Sequence, residues 1–493
     1  MTYRTPGVYV EEISVFPPSV AEVETAIPAF IGYTEFVMKD GIDISKVDPS
    51  LVEPVLIYSL KEYQQIFGGA KEEGPDAFDI TVNEKQDEQG NVTGFELSYK
   101  PTATISHYRL YYAIQMYFAN GGGKCYIMSA GNYGTAIDEP KLSAGLEKIK
   151  LLDEPTLLII PEAVSLGAAE HKTVCENAIT QAHDMKDRFA VLDVRIDDPS
   201  KKDLVEADIT AFRGISKEYE FLRYGAGYYP YLRTTINYRF KQTANKNFDL
   251  KVTAVLVNGK DAATAVKPPQ IAAGATLEAL KTANNAAYNV LVGEVNSKIK
   301  VLLPPSSTMA GIYASVDNNR GVWKAPANVG VSNVIGPSIL IDNTHQDTLN
   351  IDSNAGKSIN VIRSFSGRGT IVWGARTLDG NSNEWRYINV RRFFNMVEES
   401  VQKSTIWAVF EPNTKNTWVM VKSMIENYLI TKWQQGALAG AKPDDAFFVK
   451  VGLGVTMTAD DILNGIMNVE IGMAVARPAE FIVLKFSHKM QVS

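Results

Sequence analysis

Cysteine is scarce in this chain, with Cys125 and Cys175 the two in 493 residues. A secreted domain stapled by disulfides carries more, so a reducing or redox-indifferent setting fits better. Neither cysteine has a C-x-x-C partner. The five histidines, His107, His171, His183, His345 and His488, are dispersed without helical zinc spacing. No metal centre is expected from such a set. The N-terminus has no basic segment followed by an apolar run, and no apolar run is long enough to span a bilayer, so neither a signal peptide nor direct membrane insertion is expected. The formal net charge of -7, with no long Lys/Arg run, argues against a nucleic-acid surface, which needs concentrated positive charge.

Catalytic signatures are equally thin. Gly121-Gly122-Gly123-Lys124 lacks the earlier glycine and the following Ser/Thr of a phosphate loop, since Phe118 and Cys125 stand there. Those glycines read as a helix end. Gly225, Gly227, Gly367 and Gly369 begin G-x-G pairs without the third glycine, and no serine sits in a G-x-S-x-G elbow. Thr458-Ala459-Asp460-Asp461 reads as a capping box, with Asp461 in place of the usual Glu, before it reads as paired catalytic acids. No catalytic residue and no cofactor are expected.

What is present is patterned for packing. The stretch 367–412 predicts a strand at 370–373, then a helix at 385–403 with Val390, Phe393, Phe394, Val397 and Val401 on one face. A second apolar strand is predicted at 405–410, closed by Pro412, so the three resemble a crossover unit. Arg386, Arg391, Arg392 and Lys403 give the helix a basic side, and Lys415, Lys422 and Lys432 do so for the helix predicted at 417–438. Each is either a solvated face or a docking face for a protein partner.

Between 106 and 232 helices and strands alternate, which favours an α/β core with a largely parallel sheet. A hairpin is predicted between 78–82 and 93–99. From 238 to 300 the composition shifts toward Ala, Asn, Lys and Val, which reads as a small inserted surface domain. The fold class is therefore α/β to α+β and multi-domain, a mixed sheet flanked by helices with extended terminal strands. The expected divisions are an N-terminal arm at 1–20, core at 21–237, insertion at 238–300, a C-terminal core domain at 301–476 and a terminal strand at 477–493.

The two ends carry the oddest physics. Residues 7–13 alternate as a strand that ends at Ile13, with Val8 and Val10 on one face and Tyr9 on the other, and Pro17-Pro18 then prevent a tight return. Residues 480–486 alternate Phe481, Val483 and Phe486. A strand without a local partner is a site for pairing with another chain.

Seven segments in order, TPGVYVEEI (5–13), AIPAFIGYT (26–34), YYPYLR (228–233), RGVWKAPAN (320–328), WRYINVRRFF (385–394), AVFEPN (408–413) and RPAEFIV (477–483), resemble the contractile tail sheath family of phages and phage-tail-like injection systems. On that resemblance Trp323, Pro326, Trp385, Arg391, Phe394 and Pro412 are family-motif core. The resemblance implies a homo-oligomer of hexameric rings stacked in a six-start helix around an inner tube protein, with baseplate and tail-terminator or cap partners. It implies assembly in the bacterial cytoplasm, as part of a phage tail or a tail-like particle, with release from the cell as one route. Contraction would drive the tube through a target envelope. The terminal arms would be exchanged between subunits, and Lys422, Lys432, Asp460 and Asp461 are tube-facing candidates. The runner-up readings are another tail or capsid polymer subunit and an α/β enzyme with an unrecognised site.

Overall fold

A computed structural model of the chain describes residues 19–484, apart from 200, 202, 204 and 243–249. Residues Val8, Tyr9, Val10, Ile13 and Phe486 of the two terminal strands lie outside the described residues. The chain forms two compact units, one of residues 25–392 and one in which the described residues of 1–24 join those of 393–493. The boundary falls inside the helix Ile388–Ser404. The division follows contacts, which join segments far apart in sequence.

The larger unit is built on nine strands. In spatial order they are Val329–Gly330, Gly369–Val372, Ile359–Phe365, Gly225–Tyr229, Phe189–Asp193, Leu157–Ile159, Pro28–Thr34, Cys125–Asn132 and Val55–Ile57. From Ile359–Phe365 to Cys125–Asn132 every neighbouring pair is parallel, and the strands outside them pair antiparallel. Pro28–Thr34, Leu157–Ile159, Phe189–Asp193 and Gly225–Tyr229 are buried along their whole length. That is the consequence of helices on both faces, and it explains their unbroken apolar runs. Ile31 abuts Gly145 of helix Glu139–Lys150 while Gly32 abuts Leu110 of helix Leu110–Ala119. Adjacent residues of a strand point to opposite faces, so these two helices cover opposite sides. Gly227 is required, since a Cβ there would stand 2.5 Å from the Phe212 ring.

A buried carboxylate sits beyond the end of the central strand Leu157–Ile159. Glu162 accepts from the N–H groups of Tyr33, Arg109 and Leu110 at 2.7, 2.8 and 3.0 Å. Burial pushes its carboxyl up to about 7 although those hydrogen bonds pull the other way. The native chain thus holds a proton that the unfolded chain releases near 4.5, so stability falls as pH rises between those values. Glu162→Gln is expected to flatten that decline in melting measured from pH 4.5 to 7. An unchanged slope would contradict it.

The hairpin expected near 78–99 forms as Phe78–Gln86 and Val92–Pro101. Val252–Val257 adds to it in parallel and turns at Asn258-Gly259 into Lys260–Asp261. Ile80, Val82 and Leu97 share a core with Val252, Leu280, Leu291 and Val295 from the 238–300 segment. The 238–300 segment therefore packs with a hairpin far earlier in sequence.

The crossover unit expected at 367–412 is overturned. Gly369–Val372 is the second strand of a hairpin with Ile359–Phe365. Residues 405–410 hold a short 3-10 turn, Ile406–Ala408, and Ile406, Val409 and Phe410 are exposed. A short apolar run reads alike whether it is buried or presented outward, and periodicity does not separate the two.

Candidate functional site

The helix Ile388–Ser404 begins in the larger unit, where its basic side is not a surface. Arg391 and Arg392 are 3% and 5% exposed. Arg391 lies over the rings of Trp385 at 4.4 Å and Tyr224 at 4.7 Å. Arg392 grips Asp317 through both guanidinium nitrogens, and Asp317 also accepts from Thr25 Oγ1 at 2.6 Å. The same guanidinium lies 4.6 Å from the Tyr313 ring, whose hydroxyl meets that of Tyr228 at 2.7 Å. Burial works against the Arg392 charge, but Asp317 outweighs it and holds the guanidinium above its ordinary value. The docking-face reading of these arginines is therefore corrected: they are internal struts. Two of the motif segments meet here, 228–233 through Tyr228 and 385–394 through Trp385, Arg391 and Arg392, with Thr25 just ahead of 26–34. Trp323 joins them through its carbonyl, which accepts from Asn389 Nδ2 at 2.8 Å. Pro326 is buried and Pro412 is exposed.

The smaller unit is built differently. Phe393, Met396, Val397 and Val401 bury one face of the helix, and Val421, Met424, Ile425 and Leu429 do so for Lys415–Gln434. Beside them Phe447–Val451 and Val469–Met473 pair antiparallel, Val449 facing Ile471. Among the described residues neither strand has a further strand beside it over those positions. A two-stranded ribbon is marginal alone, and its outer edges leave backbone donors and acceptors open to another strand.

Next to the ribbon runs a groove of about 950 Å³. Phe394, Val397, Val421, Ile425, Ile471 and Met473 line it, with Val409 and Phe410 among its lining. Phe410 is wholly exposed and holds φ +68°. A bulky side chain in that region costs on the order of 1 kcal/mol or more, with no burial in this chain to offset it. Phe481, Ile482, Val483 and Leu484 are also mostly exposed, and residues 480–484 are not in a strand.

The tube-facing candidates separate. Lys432 is 3% exposed and pairs with Glu22, so it is removed from any outer surface. Lys422 is half-buried, with its side chain 44% exposed and 3.6 Å from Glu426 one turn on. Asp461 caps its own helix, accepting from Thr458 N at 2.8 Å, while its N–H donates to Thr458 Oγ1 at 3.2 Å. These hydrogen bonds hold its carboxyl below the ordinary range. Asp460 is exposed beside it.

One cluster has nucleophile-type residues. His171 Nε2 lies 3.6 Å from Cys175 Sγ and 3.1 Å from the Asp193 carbonyl oxygen, and the Asp193 carboxylate accepts from Ser306 N at 2.7 Å. All four are inside the core. Burial pushes the Cys175 thiol up and the His171 imidazole down to about 4, which leaves both neutral near pH 7. A neutral, enclosed thiol is structural. Among the described residues no group of three His, Cys, Asp or Glu is placed to hold a metal ion. No helix of the described residues is long and apolar enough to cross a membrane.

An open-edged ribbon beside an apolar groove is a surface of the kind that takes up another strand. The comparisons with known proteins place the chain in a family. The description "Phage tail sheath protein central domain" matches residues 239–378 and "Phage tail sheath C-terminal domain" matches 381–489. The helical sheath of the anti-feeding prophage in its contracted state is 30% identical, with 99% of this chain and 100% of that one covered and a TM-score of 0.61. The sheath complex of PVC, an extracellular contractile injection system, in its contracted state is 29% identical over 99% of each chain, also at 0.61. The tail sheath protein of Vibrio phage KVP40 is 28% identical over 130 residues, 26% of this chain and 19% of that protein. The match thus spans about a fifth of that relative's length. The chain belongs to the contractile tail sheath family, and it is a structural sheath protein of a phage tail or tail-like particle.

Proposed function

We propose that the chain polymerises around an inner tube and that contraction of the polymer drives the tube through a target envelope. The observation that carries the mechanism is the open-edged ribbon Phe447–Val451/Val469–Met473 beside the apolar groove. Neighbouring subunits supply strands to it from 7–13 and 480–486, whose sequences alternate as strands. Main-chain pairing tolerates rotation of the bodies, because it is continuous along the strand and independent of side-chain identity. The work comes from the difference between two packings of one lattice, and no nucleotide site is needed for it.

On this reading subunits form hexameric rings in a six-start helix, meet baseplate and cap proteins at the ends, and assemble in the bacterial cytoplasm. The 238–300 segment with the 78–101 hairpin forms the outer domain. Negative-stain imaging of the purified chain tests the proposal: cogwheel-sectioned tubes support it, and discrete particles of fixed size oppose it.

The tube contact lies on the exposed side of the smaller unit at Lys422, Asp460 and Asp461. Reversing charge at Lys422 and Asp460 together is expected to leave the subunit folded and to cut sheath–tube co-sedimentation severalfold, more so at low salt, since exposed charges are screened. Co-sedimentation equal to the parent chain's would move the contact elsewhere.

A further inference from the structure

Residues 21–23 pass through the smaller unit, and three contacts hold them. The Ala21 N–H donates to Ser404 Oγ and the Val23 N–H to Ser400 Oγ, each at 3.1 Å. Between them the Glu22 carboxylate pairs with Lys432 Nζ. The Lys432 side chain is 4% exposed and that of Glu22 is 41%. Lys432 also donates to Gln435 Oε1 at 3.2 Å and lies 5.5 Å from the Tyr428 ring. A buried ammonium is stable only with a counter-charge, and Glu22 supplies one from a segment more than four hundred positions away.

The geometry is matched to chain periodicity. Alternate N–H groups of an extended chain share one edge and stand roughly 6.6 Å apart. Two helix residues four apart share a face and stand about 6 Å apart along the axis. Ser400 and Ser404 therefore present hydroxyls at the spacing that residues 21 and 23 require. The residue between is left to reach the second helix.

We propose that Ser400, Ser404 and Lys432 form a root clamp on residues 21–23, which fixes where the N-terminal arm leaves the body and takes its load. The proposal rests on the arm-exchange reading. An exchanged strand sets the distance between subunits only if its root is fixed. Each residue peeled from the root lengthens the link by roughly 3.3 Å, and the lattice repeat is then undefined. A load along the arm is shared by all three contacts, two to one helix and one to the other. Lys432, read from sequence as a contact to the tube, is thereby a positioning residue for the arm.

The test uses the full chain with Glu22→Gln, Ser404→Ala, Glu22→Lys and the charge swap Glu22→Lys with Lys432→Glu. Circular dichroism selects the folded variants, and electron microscopy reads sheath length. Folded Glu22→Gln and Ser404→Ala chains are expected to give sheaths shortened about threefold, the square root of the tenfold loss that about 1.4 kcal/mol produces in a subunit-addition equilibrium. The swap is expected to restore length over Glu22→Lys alone, which a packing role without the ion pair would not do. Parental lengths from both folded single variants, or a swap no better than Glu22→Lys, would overturn the clamp. A chain lacking residues 1–14 separates the two readings. If it assembles normally, arm exchange itself fails; if it does not assemble while the clamp variants do, the clamp alone fails.

Discussion

Removal of residues 1–14 is expected to leave a subunit that folds and melts like the full chain but builds no long sheaths. The apolar core of the larger unit begins at Ala29, and the smaller unit's helices and ribbon contain none of the removed residues. Folding therefore loses nothing that these cores supply. Assembly loses a strand. The ribbon has five residue pairs, so an added strand of matching length brings several main-chain hydrogen bonds at about 0.5–1.5 kcal/mol net apiece. A loss of several kcal/mol per contact is several orders of magnitude in the association constant. Sedimentation and negative-stain imaging of the truncated chain measure it. Sheaths of parental length and yield would sink the exchange of this arm.

The second large effect is inside the larger unit. Arg392→Ala is expected to destabilise it by about 3–5 kcal/mol, the usual result of removing one partner of a buried pair. Asp317, whose side chain is 4% exposed, would lose its guanidinium partner and keep the Thr25 hydroxyl as a donor. Tyr313 would lose the guanidinium 4.6 Å from its ring. Arg392→Met with Asp317→Leu is expected to recover much of the loss, because an apolar pair carries no desolvation cost. Urea unfolding of the unassembled subunit checks both. A single variant within about 0.5 kcal/mol of the parent, the ordinary range for a surface change, would show that the pair is not a strut.

The α/β core was legible because its strands are buried on both faces and its helices keep a 3.6-residue period. The alternation expected between 106 and 232 became the strands Cys125–Asn132, Leu157–Ile159, Phe189–Asp193 and Gly225–Tyr229 of one sheet. Local chemistry was legible too. The glycines at 121–123 follow the helix that ends at Ala119, and Thr458 with Asp461 forms the capping box that their spacing suggested. The missed features share a cause. Arg391 and Arg392 looked like a surface because charge is usually outside, and their partners Asp317, Tyr313 and Tyr224 lie in other segments. The Lys432–Glu22 pair joins positions near opposite ends of the chain, which no local window sees. The 405–410 run was read as a strand because its apolar residues were assumed to be buried, whereas Phe410 faces outward.

By itself the sequence determined which segments could be helix or strand, that no phosphate loop, zinc spacing or catalytic elbow is written in it, and, through seven ordered segments, the resemblance to contractile sheaths. Those properties depend on residue type and spacing along the chain. Only the tertiary structure decided which charges are struts, which strands keep an open edge, and that residues 21–23 are held by two C-terminal helices. These depend on contacts between residues hundreds of positions apart. The free energy of such a contact is set by burial and partners, and neither is a property of the local sequence.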